Sequence, residues 1–228
     1  MEKKKKIILE ARNICKMFAQ PINLSILRGV DLTISAGETV AITGRSGEGK
    51  STLLHILGTL EKASSGQLTI AGQKVNSFNK PLLRNRHLAF VFQSFHLLED
   101  YSPLENVLMP ARIARQSVHQ GSAAHQRATE LLDHVGLSNR ANYRTKQLSG
   151  GEKQRVSIAR ALCNDPDIIL ADEPSGNLDS KTSELIHELL IGWAKSEQKA
   201  LVIVTHDPQL ANMCDRTLHL EDGKLRTR

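Results

Sequence analysis

Along this chain the spacing of apolar residues switches between the period of a strand and that of a helix, and each switch marks an element. Short apolar runs at residues 7–11, 30–34 and 39–43 predict three strands in the first third. A glycine-rich turn follows, and from residue 50 to about 60 the apolar positions repeat at helical spacing. Residues 67–70 and 88–92 predict two more strands.

The middle turns helical. In Ser102-Pro103-Leu104-Glu105 a capping serine precedes a proline suited to the first helical position, and Glu105 has the spacing of a capping box. Residues 123–135 predict a second amphipathic helix that Gly136 is placed to end, and a third begins after Ser149 and reaches about residue 163. Apolar runs at 167–172 and 200–205 suit buried parallel strands, with a helix over 180–196 between them. Glu221-Asp222-Gly223-Lys224 predicts a turn joining two last short strands. This order predicts one α/β domain over 1–228, its core formed by 1–93 and 159–228 and interrupted by a helical lobe at 94–158.

Composition narrows the options. A chain of 228 residues, 40% of them hydrophobic, can bury a sizeable core, which argues against wholesale disorder. No apolar run approaches the roughly 20 residues of a membrane-spanning helix. No signal-length apolar stretch follows Met1-Glu2-Lys3-Lys4-Lys5-Lys6, so a soluble, cytosolic chain is expected. The net charge of +6, from 30 basic and 24 acidic residues, suits nucleic acid, anionic lipid or a polyanionic nucleotide. The lysines at 3 to 6 read as a solvated tail, with a membrane surface as the other option. Cys15, Cys163 and Cys214 are far apart and form no CxxC pair, so neither a zinc site nor a disulfide framework is expected.

The chemistry begins at Gly44-Arg45-Ser46-Gly47-Glu48-Gly49-Lys50-Ser51, followed by Thr52, which fits GxxxxGK[ST] between a strand and a helix. Glycines let the backbone fold tightly enough for its N–H groups to surround a phosphate, and the helix N-terminus adds positive potential there. Lys50 is the candidate for bridging β- and γ-phosphates and Ser51 for coordinating Mg²⁺. Glu48 is unusual, because it puts a carboxylate inside a polyphosphate cradle. Its side chain is expected to turn outward, to Arg45 or across a dimer interface.

A second apolar strand ends in Asp172-Glu173. Ligands of parallel sheets bind at the carboxyl ends of strands, so these acids are expected beside the phosphates. Asp172 is then a Mg²⁺ ligand through water, and Glu173 the general base that polarises the attacking water. Leu148-Ser149-Gly150-Gly151-Glu152 opens a helix and forms a second anion site, with a serine cap, two small residues and an outward helix dipole.

The order of phosphate loop, Gln93, LSGGE, the Asp172-Glu173 strand, Asp179 and His206 resembles the nucleotide-binding domains of the ATP-binding cassette family over essentially the whole chain. The resemblance implies a P-loop NTPase core with a mostly parallel sheet, an antiparallel β subdomain and an inserted α-helical subdomain. It implies ATP and Mg²⁺ as ligands and a head-to-tail homodimer. Gln93 is implied to reach Mg²⁺ and the attacking water, and His206 to contact the γ-phosphate. Ser175-Gly176-Asn177-Leu178-Asp179 is implied to cross to the other subunit. Ser149 and Gly151 are implied to contact ATP held by the partner's Lys50. Families of this kind stack an aromatic ring on adenine; Phe18 is the candidate here, with a buried core role as the alternative.

Further stretches, among them Leu53-Leu54-His55-Ile56-Leu57-Gly58 and Ser102-Pro103-Leu104-Glu105-Asn106-Val107-Leu108-Met109-Pro110, look like the lipoprotein-releasing branch and its macrolide-exporter relatives. Ser175 stands where that branch commonly has threonine. The branch implies transmembrane transporter subunits as partners, no nucleic acid, and a place on the cytoplasmic face of the inner membrane. An exporter ATPase, or a soluble ATPase of the same superfamily, is the alternative. A groove at Phe95, Leu97, Leu98 and Tyr101 is expected to take a helix of the membrane partner, unless these side chains form the lobe's own core.

Overall fold

The alternating rows resolve into two sheets in the computed structural model, which describes residues 6–19 and 24–227. The lysines at 3 to 5 lie outside the described residues. The smaller sheet is antiparallel and has the order β2-β1-β4-β5, formed by Leu24–Ser35, Ile7–Phe18, Ser65–Ile70 and Gln73–Lys74. The larger has the order β10-β9-β3-β8-β7-β6, formed by Lys224–Thr227, Arg216–Glu221, Thr39–Thr43, Ala200–Val204, Ile168–Asp172 and Leu88–Phe92. All its pairings are parallel except β9 with β10.

Successive side chains of a strand point to opposite faces, so a continuous apolar run requires cover on both. Ile169, Ala171, Leu201 and Ile203 face one buried cluster, shared with helices α3 (Pro103–Ile113), α4 (Ala123–His134), α5 (Gly150–Leu162) and α6 (Ser180–Ser196). Ile168, Leu170, Val202 and Val204 face the other, shared with the antiparallel sheet and α1 (Lys50–Leu57). Burying each of the Ile, Leu and Val side chains among these stabilises by about 1.5–3 kcal/mol.

The helix ends follow local chemistry. Ser102 Oγ accepts from Glu105 N at 3.2 Å, and the Glu105 carboxylate accepts from Ser102 N at 2.8 Å. That closes the expected capping box. Gly136 follows α4 with a φ of +70°. Helix α1 stops at Leu57, before the expected 60, and Gly58 caps it. Helix α5 is continuous from Gly150 to Leu162, so a division at 158 falls inside a helix whose Val156, Ile158, Ala159 and Leu162 pack into one cluster.

Strands β1 and β2 outrun the expected 7–11 and 30–34, because register shifts break their alternation near Ala11 and Ile14. Two helices lacked a sequence prediction. Helix α2 (Lys80–His87) buries only Leu83, and α7 (Pro208–Met213) has six residues.

Parallel pairing fixes where the loops emerge. Ile42 stands beside Val204, Val204 beside Asp172 and Asp172 beside Phe92. Strands β3, β8, β7 and β6 therefore release their chains along one edge, where Gly44, His206, Glu173 and Gln93 follow.

Candidate functional site

That edge opens into a cleft of about 390 Å³ lined by Ser46, Gly47, Lys50, Ser51, Gln93 and His206, together with Glu173, Gly49, Thr52, Ile26 and Val204. Gly49 precedes α1 at φ +96°, and a Cβ there would run into the Ile26 side chain, so only glycine closes this turn. Lys50 Nζ donates to the carbonyls of Gly44 at 2.9 Å and Arg45 at 2.8 Å, which hold the amine over the loop. Glu48 turns back on the loop: its carboxylate accepts from Arg45 N at 2.9 Å. Arg45 is thus its partner through the backbone.

Ser51 Oγ donates to Asp172 Oδ1 at 3.0 Å. Burial raises the Asp172 pKa above the usual carboxylate range, opposed by the Ser51 hydrogen bond and by the charges of His55 and Lys50. A carboxylate desolvated in this way is relieved by a cation. Among the described residues no group of three or more His, Cys, Asp or Glu is placed to hold a metal. One carboxylate and one hydroxyl beside a phosphate cradle are the donor set of Mg²⁺ held jointly with a nucleotide. The residues fit that ion.

Strand β7 ends abruptly. Glu173 adopts a left-handed backbone, φ +45°, while its N–H donates to Val204 O at 2.9 Å. A non-glycine residue in that region is strained, and such strain gathers at functional sites. The twist brings Glu173 Oε1 to 2.9 Å from His206 Nδ1, the carboxylate mostly buried and the ring 75% exposed.

Gln93 lines the cleft and is paired both ways with Asn177: its Nε2 donates to Asn177 Oδ1 at 3.0 Å, and Asn177 Nδ2 donates to Gln93 O at 3.1 Å. A Cβ on Gly176 would lie 2.8 Å from Gln93 Nε2, so glycine permits this approach. Gln154, fully buried in α5, reaches the carbonyls of Pro174 and Phe92, and Arg160 reaches those of Phe95 and His96. These three ties were missed in the sequence. Gln154 alone has a faint signal, as a polar residue buried in α5 among Val156, Ile158, Ala159 and Leu162.

The second anion site is absent from the cleft. Ser149 Oγ accepts from Glu152 N at 3.3 Å and the Glu152 carboxylate accepts from Ser149 N at 2.8 Å, a complete capping box at the start of α5. Asp179 caps α6, accepting from Thr182 N at 3.1 Å and from Thr182 Oγ1 at 2.6 Å, and the Thr182 hydroxyl holds its pKa low. Ser149, Gly150, Gly151 and Asp179 contribute nothing to the lining around Lys50. Phe18, at the end of β1, is exposed with Lys16 Nζ 4.6 Å from its ring centroid, and it too lies off the cleft lining.

Leu97 packs against the buried cluster, while Leu98 and Tyr101 are exposed. A wider apolar cleft of about 470 Å³ lies elsewhere, lined by Leu88, Phe90, Phe92, Met109 and Ile113 from β6 and α3, with residues of α2 and α5.

A phosphate loop, a strand-end acid pair and a capped LSGGE helix on this fold define an ATP-hydrolysing cassette, and the ABC transporter family model matches residues 27–176. The chain belongs to that family and is an ATP-binding ATPase subunit with a P-loop NTPase core. It is 60% identical over 219 residues to the lipoprotein-releasing system ATP-binding protein LolD of Protochlamydia amoebophila, covering 96% of each chain. To the protein of the same name from Porphyromonas gingivalis it is 48% identical over 222 residues, covering 96% of this chain and 99% of the other. Among solved structures, a dimeric bacterial ABC transporter cassette superposes with a TM-score of 0.87 at 39% identity, covering 96% of this chain and 97% of that one. A dimeric post-hydrolysis state of that cassette, bound to ADP and Pi, gives 0.87 at 38% identity with the same coverage.

Proposed function

We propose that this chain hydrolyses ATP as a head-to-tail homodimer on the cytoplasmic face of a bacterial inner membrane, driving transmembrane subunits that release lipoproteins. The observation that carries the mechanism is the composition of the cleft around Lys50. It contains a phosphate loop and a base, while the capped helix start at Ser149 opens elsewhere. A second copy facing the first supplies that start to the γ-phosphate.

In this reading the N–H groups of residues 47–52 and the α1 N-terminus receive the phosphates, and Lys50 moves from its loop carbonyls to the β- and γ-oxygens. Ser51, Asp172 and Gln93 are the residues that would hold Mg²⁺, which when bound offsets charge on those oxygens. Glu173 accepts the proton of the attacking water as its oxygen bonds to the γ-phosphorus and the bond to ADP breaks. A positioned base of this kind is worth on the order of 10²–10⁴-fold in rate. His206 keeps the carboxylate oriented and reaches the γ-phosphate. Phe18 is proposed as the adenine platform, coming over the base only once nucleotide is present. The lipoprotein cargo follows from the named relatives and from their match along nearly the whole chain.

Mixing Ser149→Arg subunits with Lys50→Ala subunits tests the shared site. Heterodimers restore one intact Lys50 loop facing one intact Ser149 helix, so ATP-dependent cross-linking should return in the mixture and be absent from each variant alone. A mixture no better than its components rules out composite sites. Co-purification of the full chain with its membrane partners tests the cargo; partners that do not handle lipoproteins overturn that part alone.

A further inference from the structure

Helix α6 carries a histidine that the mechanism above does not use. His187 is 2% exposed, on the face that buries Ile186, Leu190 and Ile191. Its Nε2 is 2.7 Å from Ser175 Oγ and 3.9 Å from Asp207 Oδ2. Ser175 lies two residues past Glu173, and Asp207 one past His206. Asp207 is itself anchored: its Oδ1 accepts from Gln209 N at 2.7 Å, and its N–H donates to Thr205 Oγ1 at 3.0 Å.

Two cross-links therefore hold the loop leaving β7, an outer one to the loop leaving β8 and an inner one to helix α6. The outer one, Glu173 with His206, has an exposed ring, and exposed pairs hold little on their own. The inner one joins Ser175 to the buried His187, while Asp207 Oδ2, 3.9 Å from the same nitrogen and partly exposed, lies beyond hydrogen-bond reach. An imidazole is a costly way to fill a buried position that a hydrocarbon would fill better. Its hydrogen bond to Ser175, not its bulk, accounts for it.

We propose that His187 is a positioning residue: it ties the segment starting at Ser175 to helix α6, so that Glu173, two residues earlier, keeps its geometry towards His206 during hydrolysis. The inference rests on the roles given to Glu173 and His206 under the proposed function. Displacements well below 1 Å matter at this point, since near-attack geometry carries much of the rate.

The experiment measures steady-state ATP turnover and melting temperature for the purified full chain and for H187F, S175A, the double variant H187F/S175A and H187Q. Glu173→Gln is run alongside; wild-type turnover in that variant removes the underlying assignment, whatever His187 does. H187F fills the space without the hydrogen bond, and S175A removes the same bond from the other side. Each should lower kcat roughly 3- to 10-fold, the scale of one lost hydrogen bond, with KM within about twofold. The double variant should be no slower than the slower single one, because one bond is being removed twice. H187Q, whose Nε2 can take the place of the ring nitrogen, should recover kcat to within about twofold of wild type. Unchanged kcat in folded H187F, multiplicative losses in the double variant, or no recovery in H187Q would each overturn the proposal. If H187F does not fold, S175A decides alone, and unchanged turnover there overturns it.

Discussion

Glu173 and His206 meet across the ends of β7 and β8, with the carboxylate Oε1 2.9 Å from the ring Nδ1. The contact exists because β7 and β8 are neighbours in register, Asp172 beside Val204, and because Glu173 leaves its strand in a left-handed conformation. Glu173→Gln keeps the shape and removes the base. Turnover should fall by on the order of 10²–10⁴-fold while ATP binding persists. Size exclusion should then show an ATP-dependent dimer that no longer dissociates. Wild-type-like turnover in this variant would remove Glu173 from the mechanism.

Glu48 accepts the Arg45 N–H within the phosphate loop, and its charge stands beside the place where polyphosphate is proposed to bind. Glu48→Ala should tighten ATP binding by roughly 2- to 5-fold at low ionic strength, with the gain fading at high salt as exposed charges are screened. Nucleotide titrations at two salt concentrations check this. Weaker binding in the variant would mean that the hydrogen bond to Arg45, which shapes the loop, outweighs the repulsion.

Much of this architecture was legible because it is local. GxxxxGK[ST] is a continuous turn, and its β3 partner and the α6 helix have the expected limits, Thr39–Thr43 and Ser180–Ser196. The capping box at Ser102 and the serine cap at Ser149 are equally short-range, although the Glu152 half of a second box at Ser149 was not foreseen. Less legible were features set by tertiary contact. Helix α2 shows no amphipathic stripe because only Leu83 is buried, and the bulged β1 hides its length by breaking alternation. The Gln93–Asn177 pair and the Ser175–His187 bond join residues whose meeting depends on how β6, β7 and α6 pack. No spacing rule brings them together.

Burial pushes the His187 pKa below the usual imidazole value, against the opposing charges of Asp207 and Glu184. The unfolded chain therefore takes up this proton at higher pH than the native chain does. His187's contribution to stability is complete above about pH 6.5 and is lost as the pH falls from there toward the depressed native pKa. The urea midpoint should drop more between about pH 7.5 and 5.5 in the wild type than in H187F. Equal drops would show that the titration lies elsewhere.

The last prediction concerns the transmembrane subunits proposed as partners. Ile113, 67% exposed, stands where the apolar cleft between α2, β6 and α3 meets a neighbouring cleft lined by Phe78, 96% exposed, and by the exposed Leu82. Large apolar side chains clustered on a surface mark an interaction site, and a cleft of this shape suits spaced apolar anchors on a short helix. Leu88, Phe90 and Phe92 of β6 line the cleft, and the next residue is Gln93, so a partner seated there lies one strand end from the nucleotide site. Phe95, Leu97, Leu98 and Tyr101 are weaker candidates, since Leu97 is partly buried and packs against the lobe's own core. A charge at the rim should desolvate badly in the complex and cost nothing in the free chain. Ile113→Asp and Phe78→Asp should each weaken association with the transmembrane subunits roughly 10- to 30-fold, the scale of an interface anchor, while ATP turnover of the isolated chain stays within about twofold. Tyr101→Asp should have a smaller effect. Pull-downs from detergent with the full complex distinguish these outcomes, and wild-type recovery of partner by both rim variants would place the docking surface elsewhere.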